Sequence, residues 1–425
     1  MDAIISMMNR INNTVILLLK ALLIICTCGI VGQVLLVVAY CIPTEPIANN
    51  IERGAEALLI QGAEYNYAED YRESILDNET DAVMLSEALF PEKSCINGAV
   101  LVPRYVYADR ESQVYSLWAF LNQDNLSNAL VANYPRYWHG YLTILKPFFY
   151  LFDYSDLKIM NQAIQLVIIF GLFILMFKNH LEEYCVAFMP MLIIWNLATI
   201  GVSLQYAACF YVSMIGSLIV LKWNVKNEWM LFLFLGIMTS YFDFLTYPIV
   251  TLGIPLVFLI IKNADRISNP IIGIISNGLF WSIGYIGMWA SKWIIGTAIS
   301  SENVIYDAML NIESRTSTSV DGEEITRIGT VFRLIQATFF KWPYLLMLLG
   351  VVIYLFVKYH KTFKFNQTAI SLAVVSLIPI AWFVLTANHS YIHPRLVYRD
   401  WGITIFSLLS IPIAGTYKKE RGEES

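Results

Sequence analysis

Between two apolar runs near the C-terminus lies the stretch Asn388-His389-Ser390-Tyr391-Ile392-His393-Pro394-Arg395-Leu396-Val397-Tyr398-Arg399-Asp400. It gathers two imidazoles, two guanidiniums and a carboxylate in a chain otherwise built for lipid, where ionisable groups are costly and usually functional. His389 and His393 are four apart and could share a helical face, but Pro394 interrupts that helix and a third ligand is missing, so zinc is a poor fit. An anion is a better one. Arg395 and Arg399, also four apart, offer charge-assisted hydrogen bonds to a phosphate, joined by the two histidines. Arginines snorkelling singly to the membrane surface are the simpler alternative. Four such groups in one turn-rich stretch weigh against it.

Two further stretches carry chemistry. In Leu76-Asp77-Asn78-Glu79-Thr80-Asp81, the carboxylates of Asp77 and Asp81 share a face if the segment is helical, with Asn78 and Thr80 able to cap its start. Such a pair can hold a divalent cation, Mg²⁺ or Mn²⁺, or can separate its pKa values so that one member serves as a base. The plain alternative is a helix N-terminus with acidic residues that favour the dipole. Tyr134-Pro135-Arg136-Tyr137-Trp138-His139-Gly140-Tyr141 sets aromatic faces beside a guanidinium and an imidazole, the means to hold a sugar and an anion together. An aromatic belt at the membrane surface would look the same. Asp243, within Tyr241-Phe242-Asp243-Phe244-Leu245-Thr246-Tyr247-Pro248, stands at an expected interfacial turn. Lys292 and Arg315 are lesser cationic candidates.

The elements that must position these residues follow from composition. The 425 residues are 57% hydrophobic and only 14% charged, with mean hydropathy +0.57. No soluble domain sustains that balance, so the chain is a polytopic membrane protein. A net charge of −5 gives no reason to expect nucleic acid as a partner. Of six cysteines only Cys95 lies well out in a polar segment, so no disulfide framework is expected.

Apolar runs at about 14–42, 159–177, 184–199, 204–221, 229–245, 247–261, 271–290, 338–357, 367–387 and 402–416 predict about ten transmembrane helices. Lys178, Lys222, Lys226, Lys262, Arg266, Lys358, Lys361, Lys364, Lys418, Lys419 and Arg421 fall in the connections on one side. By the positive-inside rule that side and both termini are cytoplasmic. The opposite side holds two long segments, 43–158 and 291–336, too long for structureless loops. In the first, Ile47 to Ile60 reads as a helix lying in the membrane interface or packing on the bundle. His139, His389 and His393 all fall on this outer side.

This layout resembles the GT-C superfamily of polytopic membrane glycosyltransferases: an N-in first span, a long acidic outer segment, six more spans, a second outer segment and a histidine/arginine element before the last span. The resemblance covers nearly the whole chain and rests on topology. It implies an all-α fold in a bacterial inner membrane and a polyprenyl-phosphate sugar donor. The acceptor would be a glycan, lipid or protein. By the same resemblance Asp81, with Asp77, would act as general base or position a metal. Arg399, His389, His393 and Arg395, with Lys292 or Arg315, would hold the departing phosphate. Arg136, Tyr137, Trp138 and His139, with Asp243, would hold the sugar or acceptor. The family's acidic pair commonly lies as adjacent residues soon after the first span, whereas Asp77 and Asp81 are later and separated. A polysaccharide polymerase or ligase would use similar donors. A transporter would instead place ionisable groups near mid-bilayer.

Overall fold

The computed structural model describes residues 2–108, 112–122, 126–264 and 270–416. It is mostly helical, 76%, with almost no sheet. Among the described residues seven helices are long and apolar enough to cross a membrane: Thr14–Tyr40, Tyr154–Lys178, Leu204–Lys222, Ile271–Ile299, Trp342–Tyr359, Gln367–Leu385 and Pro394–Ala414. The other three expected spans are shorter helices, Cys185–Trp195, Glu228–Phe242 and Val250–Lys262. At about 1.5 Å per residue they fall short of a hydrocarbon core of about 30 Å.

Each stops for a local reason. Asn196 adopts a left-handed conformation (φ 52°) and its side chain caps the next short helix at Thr199. After Phe242 the chain turns through Asp243, whose carboxylate accepts from the Thr246 backbone N–H at 2.9 Å, with Leu245 at φ 69° and Pro248 following. Irregular backbone at this depth is tolerated only where protein or a cavity surrounds it. The short helices therefore leave a layer in which polar side chains from several segments meet.

The lysine-bearing connections gather at one end of the bundle. Asn179 donates to the Leu221 carbonyl at 3.0 Å, and Lys262 donates to the Val220 and Leu221 carbonyls at 2.7 and 3.0 Å. Lys358 pairs with Glu183 at 3.3 Å, and the Lys364 N–H meets the Gly415 carbonyl at 2.8 Å. Arg266, Lys418, Lys419 and Arg421, expected here, lie outside the described residues, as does the C-terminal tail.

The first long segment covers the opposite end. It contains the helices Thr44–Gln61, Asn78–Leu89, Cys95–Leu101 and Gln113–Leu121, and pairs Arg104–Tyr107 antiparallel with Ala129–Ala132. Ile47, Ile51, Ala55 and Leu58 recur at helical spacing, and all are buried, so this helix turns its apolar stripe into the protein. The first span ends at Tyr40, which frees Cys41 from the apolar run to form a disulfide with Cys95, Cα–Cα 5.3 Å. That bond corrects the expectation of unpaired cysteines.

The second segment folds as Val304–Thr316, a two-residue strand pair and the helix Arg327–Phe339. This last helix buries Val331 and Leu334 yet leaves Ile328 and Phe332 68% and 66% exposed. Arg327 ties the segment to the bundle through the Val384 and Thr316 carbonyls, and the Asn388 N–H donates to the Ser317 carbonyl at 3.1 Å.

Candidate functional site

The basic stretch that opened the sequence reading does not converge on one point. It forms a short helix, Ala387–Ile392, then Pro394–Val397 and a 3₁₀ turn before the last helix. These bends send its side chains to three places. Arg395 reaches back to the first long segment, pairing with Glu64 and lying 3.6 Å from Asp77. Arg399 is fully buried in a cage of tyrosines, its guanidinium 3.9 Å from the Tyr206 ring centre, 4.7 Å from Tyr398 and 5.5 Å from Tyr247. Its Nη1 donates to the Arg395 carbonyl at 2.9 Å. His389 and His393 lie with ring centres 4.9 Å apart, and Arg315 Nη1 approaches His393 Nε2 at 3.4 Å.

Burial, then the charge of Arg315, pushes the His393 imidazole down to about 4. Burial, His393 and Arg315 push His389 well below its ordinary value. Both shifts favour the neutral imidazole. The rings can still donate or accept a hydrogen bond.

The acidic pair is occupied by structure. Asp77 is the N-cap of Asn78–Leu89, accepting from the Thr80 N–H and the Thr80 hydroxyl, each at 3.1 Å. Burial pushes its carboxyl up to about 7. Asp81 is fully buried. It accepts from the Tyr154 hydroxyl at 2.7 Å, the Leu204 and Gln205 N–H groups at 3.0 and 3.1 Å and the Ser203 hydroxyl at 3.4 Å. Both oxygens are thus committed to anchoring this helix on the turn at 203–205. Among the described residues no group of three or more His, Cys, Asp or Glu side chains is placed to hold a metal. With Asp81 committed in this way, Asp77 and Asp81 do not fit Mg²⁺ or Mn²⁺, and no step below is routed through one.

A different set of residues surrounds open space. A cavity of about 510 Å³ lies between the Ile271–Ile299 span, the Val304–Thr316 helix and the Ile378–Leu385 helix. Trp281, Tyr285 and Trp289, four apart along one helical face, stack with centroids 4.8 and 4.9 Å apart and form one wall. Trp382 stands in the other, and Arg136 and Arg315 close one end beside Tyr137. The Tyr285 hydroxyl and the indole N–H groups of Trp289 and Trp382 are buried without a hydrogen-bond partner among the described residues. Buried polar groups are nearly always satisfied, so three such donors in the walls of one cavity set it apart.

No protein-family model matches the chain, and no curated protein or solved structure matches it with significance.

Around the cavity the expected substrate residues divide by direction. Arg136 and Tyr137 line it; Arg136 is held by Asp307 at 3.0 Å and lies 4.7 Å from the Tyr134 ring centre. Trp138 and His139 turn inward. The Trp138 indole donates to the Met288 carbonyl at 2.6 Å, and buried His139 contacts Tyr141, the Tyr134 carbonyl and Glu87 at 2.7, 2.8 and 3.1 Å. Lys292 is buried and donates to the Ala99 and Val100 carbonyls at 2.9 and 3.0 Å, closing the end of the Cys95–Leu101 helix rather than facing the cavity. Asp243 is buried, and Leu245, two residues on, lines the cavity. The two carboxylate oxygens of Asp243 accept from the Thr246 N–H and the Thr246 hydroxyl. Burial raises its carboxyl above the usual range against two Thr246 hydrogen bonds.

Trp382 and Glu87 escaped the sequence reading. Trp382 sits in an apolar run with no distinguishing neighbour. Glu87 gave no spacing signal, because its partners Tyr141 and His139 come from more than fifty residues away.

Proposed function

We propose that the protein is a glycosyltransferase of the membrane, taking a sugar from a polyprenyl phosphate at the loop-bearing face. The observation that carries this reading is the aromatic cavity whose orphan donors lead to two guanidiniums, Arg136 and Arg315. An isoprenoid chain suits the Trp/Tyr/Ile wall, a phosphate suits the paired guanidiniums, and a sugar face suits the rings between them. The Cys41–Cys95 disulfide supports an oxidising compartment on that face. The lysines gathered at the other end support a cytoplasmic location for that one.

In this site an acceptor hydroxyl attacks the sugar's anomeric carbon, the bond from that carbon to the phosphate oxygen breaks, and the hydroxyl proton passes to a carboxylate. Asp243 is our choice for that base, because it lies two residues from Leu245 in the cavity wall and burial raises its carboxyl above the usual range. Arg315 and Arg136 take up the charge that develops on the leaving phosphate. Neutral His393, next to Arg315, orients that guanidinium.

The test is transfer of label from a panel of polyprenyl-phosphate monosaccharides by purified protein, with Arg315→Ala and Asp243→Asn alongside. Donor-dependent transfer that is lost in both variants supports the reading. Folded protein that turns over no monosaccharide donor but extends a diphosphate-linked glycan would move the assignment to a polymerase. No turnover with either donor would sink the enzyme reading in favour of transport.

A further inference from the structure

The helix Arg327–Phe339 carries two stripes, and packing on the bundle accounts for only one. Thr330, Val331, Leu334 and Thr338 recur at helical spacing and are buried against the protein. Ile328, Phe332, Ile335 and Phe339, at intervals of four, three and four, form a second stripe along the adjoining side. Ile328 and Phe332 in it are mostly exposed. Gln336 and Arg333 fall on the remaining side, with the Arg333 guanidinium 3.8 Å from the Tyr391 ring centre. A helix with one side on protein, one apolar and one polar is patterned to lie in a membrane surface.

The surroundings show what covers the second stripe. Arg327 donates to the Val384 carbonyl, the Phe339 ring lies 5.7 Å from that of Trp401, and the Phe383 and Trp401 rings are themselves 5.1 Å apart. Both ends are thus tied at one level, near the end of the Gln367–Leu385 span and the start of the last helix. Held in this way, a helix of about 20 Å runs across the bundle rather than down it. Beyond it Phe340 and Trp342 are 69% and 76% exposed, and the chain passes directly into the Trp342–Tyr359 span, whose Leu346, Leu349 and Val352 are exposed too. The intervening charge is turned away, since Lys341 reaches Glu73 at 2.8 Å and lies 4.8 Å from the Tyr71 ring centre. Ile335 and Phe339 also line the same cleft, of about 750 Å³, as Leu348, Val352 and Leu355 of that span. The stripe and the span therefore share one apolar surface, and a span is surrounded by lipid.

We propose that Arg327–Phe339 is an in-plane anchor whose stripe of Ile328 and Phe332 docks on the bilayer, in the leaflet at the loop-bearing face. Thr44–Gln61, whose sequence pattern suits the same role, turns its stripe into the protein instead. The second long segment is thereby a membrane-held cover and not a solvent-side loop. Val304–Thr316 shares the arrangement: Val304 and Ala308 are buried, Ile305 and Met309 are exposed, and Met309 borders the aromatic cavity together with Ile286, an exposed residue of the neighbouring span.

The test needs no turnover. Full-length protein is placed in vesicles of phosphatidylcholine containing a small fraction of phosphatidylcholine with a diazirine midway along one acyl chain, illuminated, and its lipid adducts mapped to residues by mass spectrometry. Adducts are expected at Ile328, Phe332 and Phe340 within roughly threefold of those on Trp342–Tyr359, and not at Ile47, Ile51 or Ala55. Ile328→Glu with Phe332→Glu should lower adducts on 327–340 about tenfold and leave those on the span unchanged. Because both side chains are exposed, the doubly substituted protein should melt as wild type. Adducts on the span but not at Ile328 or Phe332 of the wild-type protein would overturn the proposal and point to a second copy or another protein over this face. Undiminished labelling of 327–340 in the doubly substituted protein would overturn it as well.

Discussion

Asp81 and the cavity wall at Trp281–Trp382 are both buried, yet they are built in opposite ways. Around Asp81 every acceptor is used: a tyrosine hydroxyl, two backbone N–H groups and a serine converge on one carboxylate. Around the cavity, donors are left over, on Tyr285, Trp289 and Trp382. A saturated buried group fixes the fold; an unsaturated one costs stability until something binds. The comparison teaches that burial and charge alone do not mark a site here. The deciding feature is whether the protein itself completes the hydrogen bonds.

The comparison would be broken most directly by exchanging the two kinds of residue. Asp81→Ala leaves the Tyr154 hydroxyl and the Leu204 and Gln205 N–H groups buried without an acceptor. At about 1–3 kcal/mol for each orphan, the loss should reach several kcal/mol. Thermal unfolding in detergent should show a large drop, while turnover per folded molecule stays near wild type. Full stability with lost turnover would return Asp81 to the catalytic role.

Arg315→Ala should do the reverse, cutting transfer roughly 10²- to 10³-fold while melting changes little, because His393 is its one hydrogen-bond partner among the described residues. Equal transfer rates in mutant and wild type would remove the phosphate from this end of the cavity. Reducing the Cys41–Cys95 bond, or Cys95→Ser, tests the saturated side again. The bond closes a loop of 54 residues, and its loss should cost about 2–4 kcal/mol of stability. A melt insensitive to reductant would deny that the bond forms.

A further effect is expected with pH, and it has opposite signs for two residues. Asp77, at about 7 in the fold against about 3.9 unfolded, binds its proton more tightly when folded. Its contribution is complete below about pH 4 and is lost as pH rises through 7. His393, at about 4 against about 6.5, behaves inversely, and its contribution is lost as pH falls from about 6.5 to about 4. Denaturation between pH 4 and 8 should therefore show Asp77→Asn flattening the neutral side of the profile and His393→Gln the acidic side. A profile unchanged in both variants would contradict these environments.

Part of this was legible in the chain. The seven long spans and the lysine-bearing connections follow from composition along the sequence, and so does the stripe of Ile47, Ile51, Ala55 and Leu58. The face that stripe meets does not, since a stripe buried in lipid and one buried in protein have the same period. Trp281, Tyr285 and Trp289 fall at four-residue intervals, so a helix sets them on one face. The basic stretch at 388–400 announced charge, but neighbours in sequence are not neighbours in purpose once Pro394 and the 3₁₀ turn redirect successive side chains.

By itself the sequence determined that this chain lives in a membrane, that two long segments lie beyond its spans, and that tyrosine, tryptophan and arginine collect at one end. These properties are local or additive, set by hydropathy and spacing within single segments. Only the tertiary structure decided that Asp81 is an anchor, that Lys292 closes a helix end, that Cys41 meets Cys95, and that Arg136 and Arg315 share a cavity. Each of those outcomes depends on which hydrogen-bond partners distant segments bring, and no spacing within one segment encodes them.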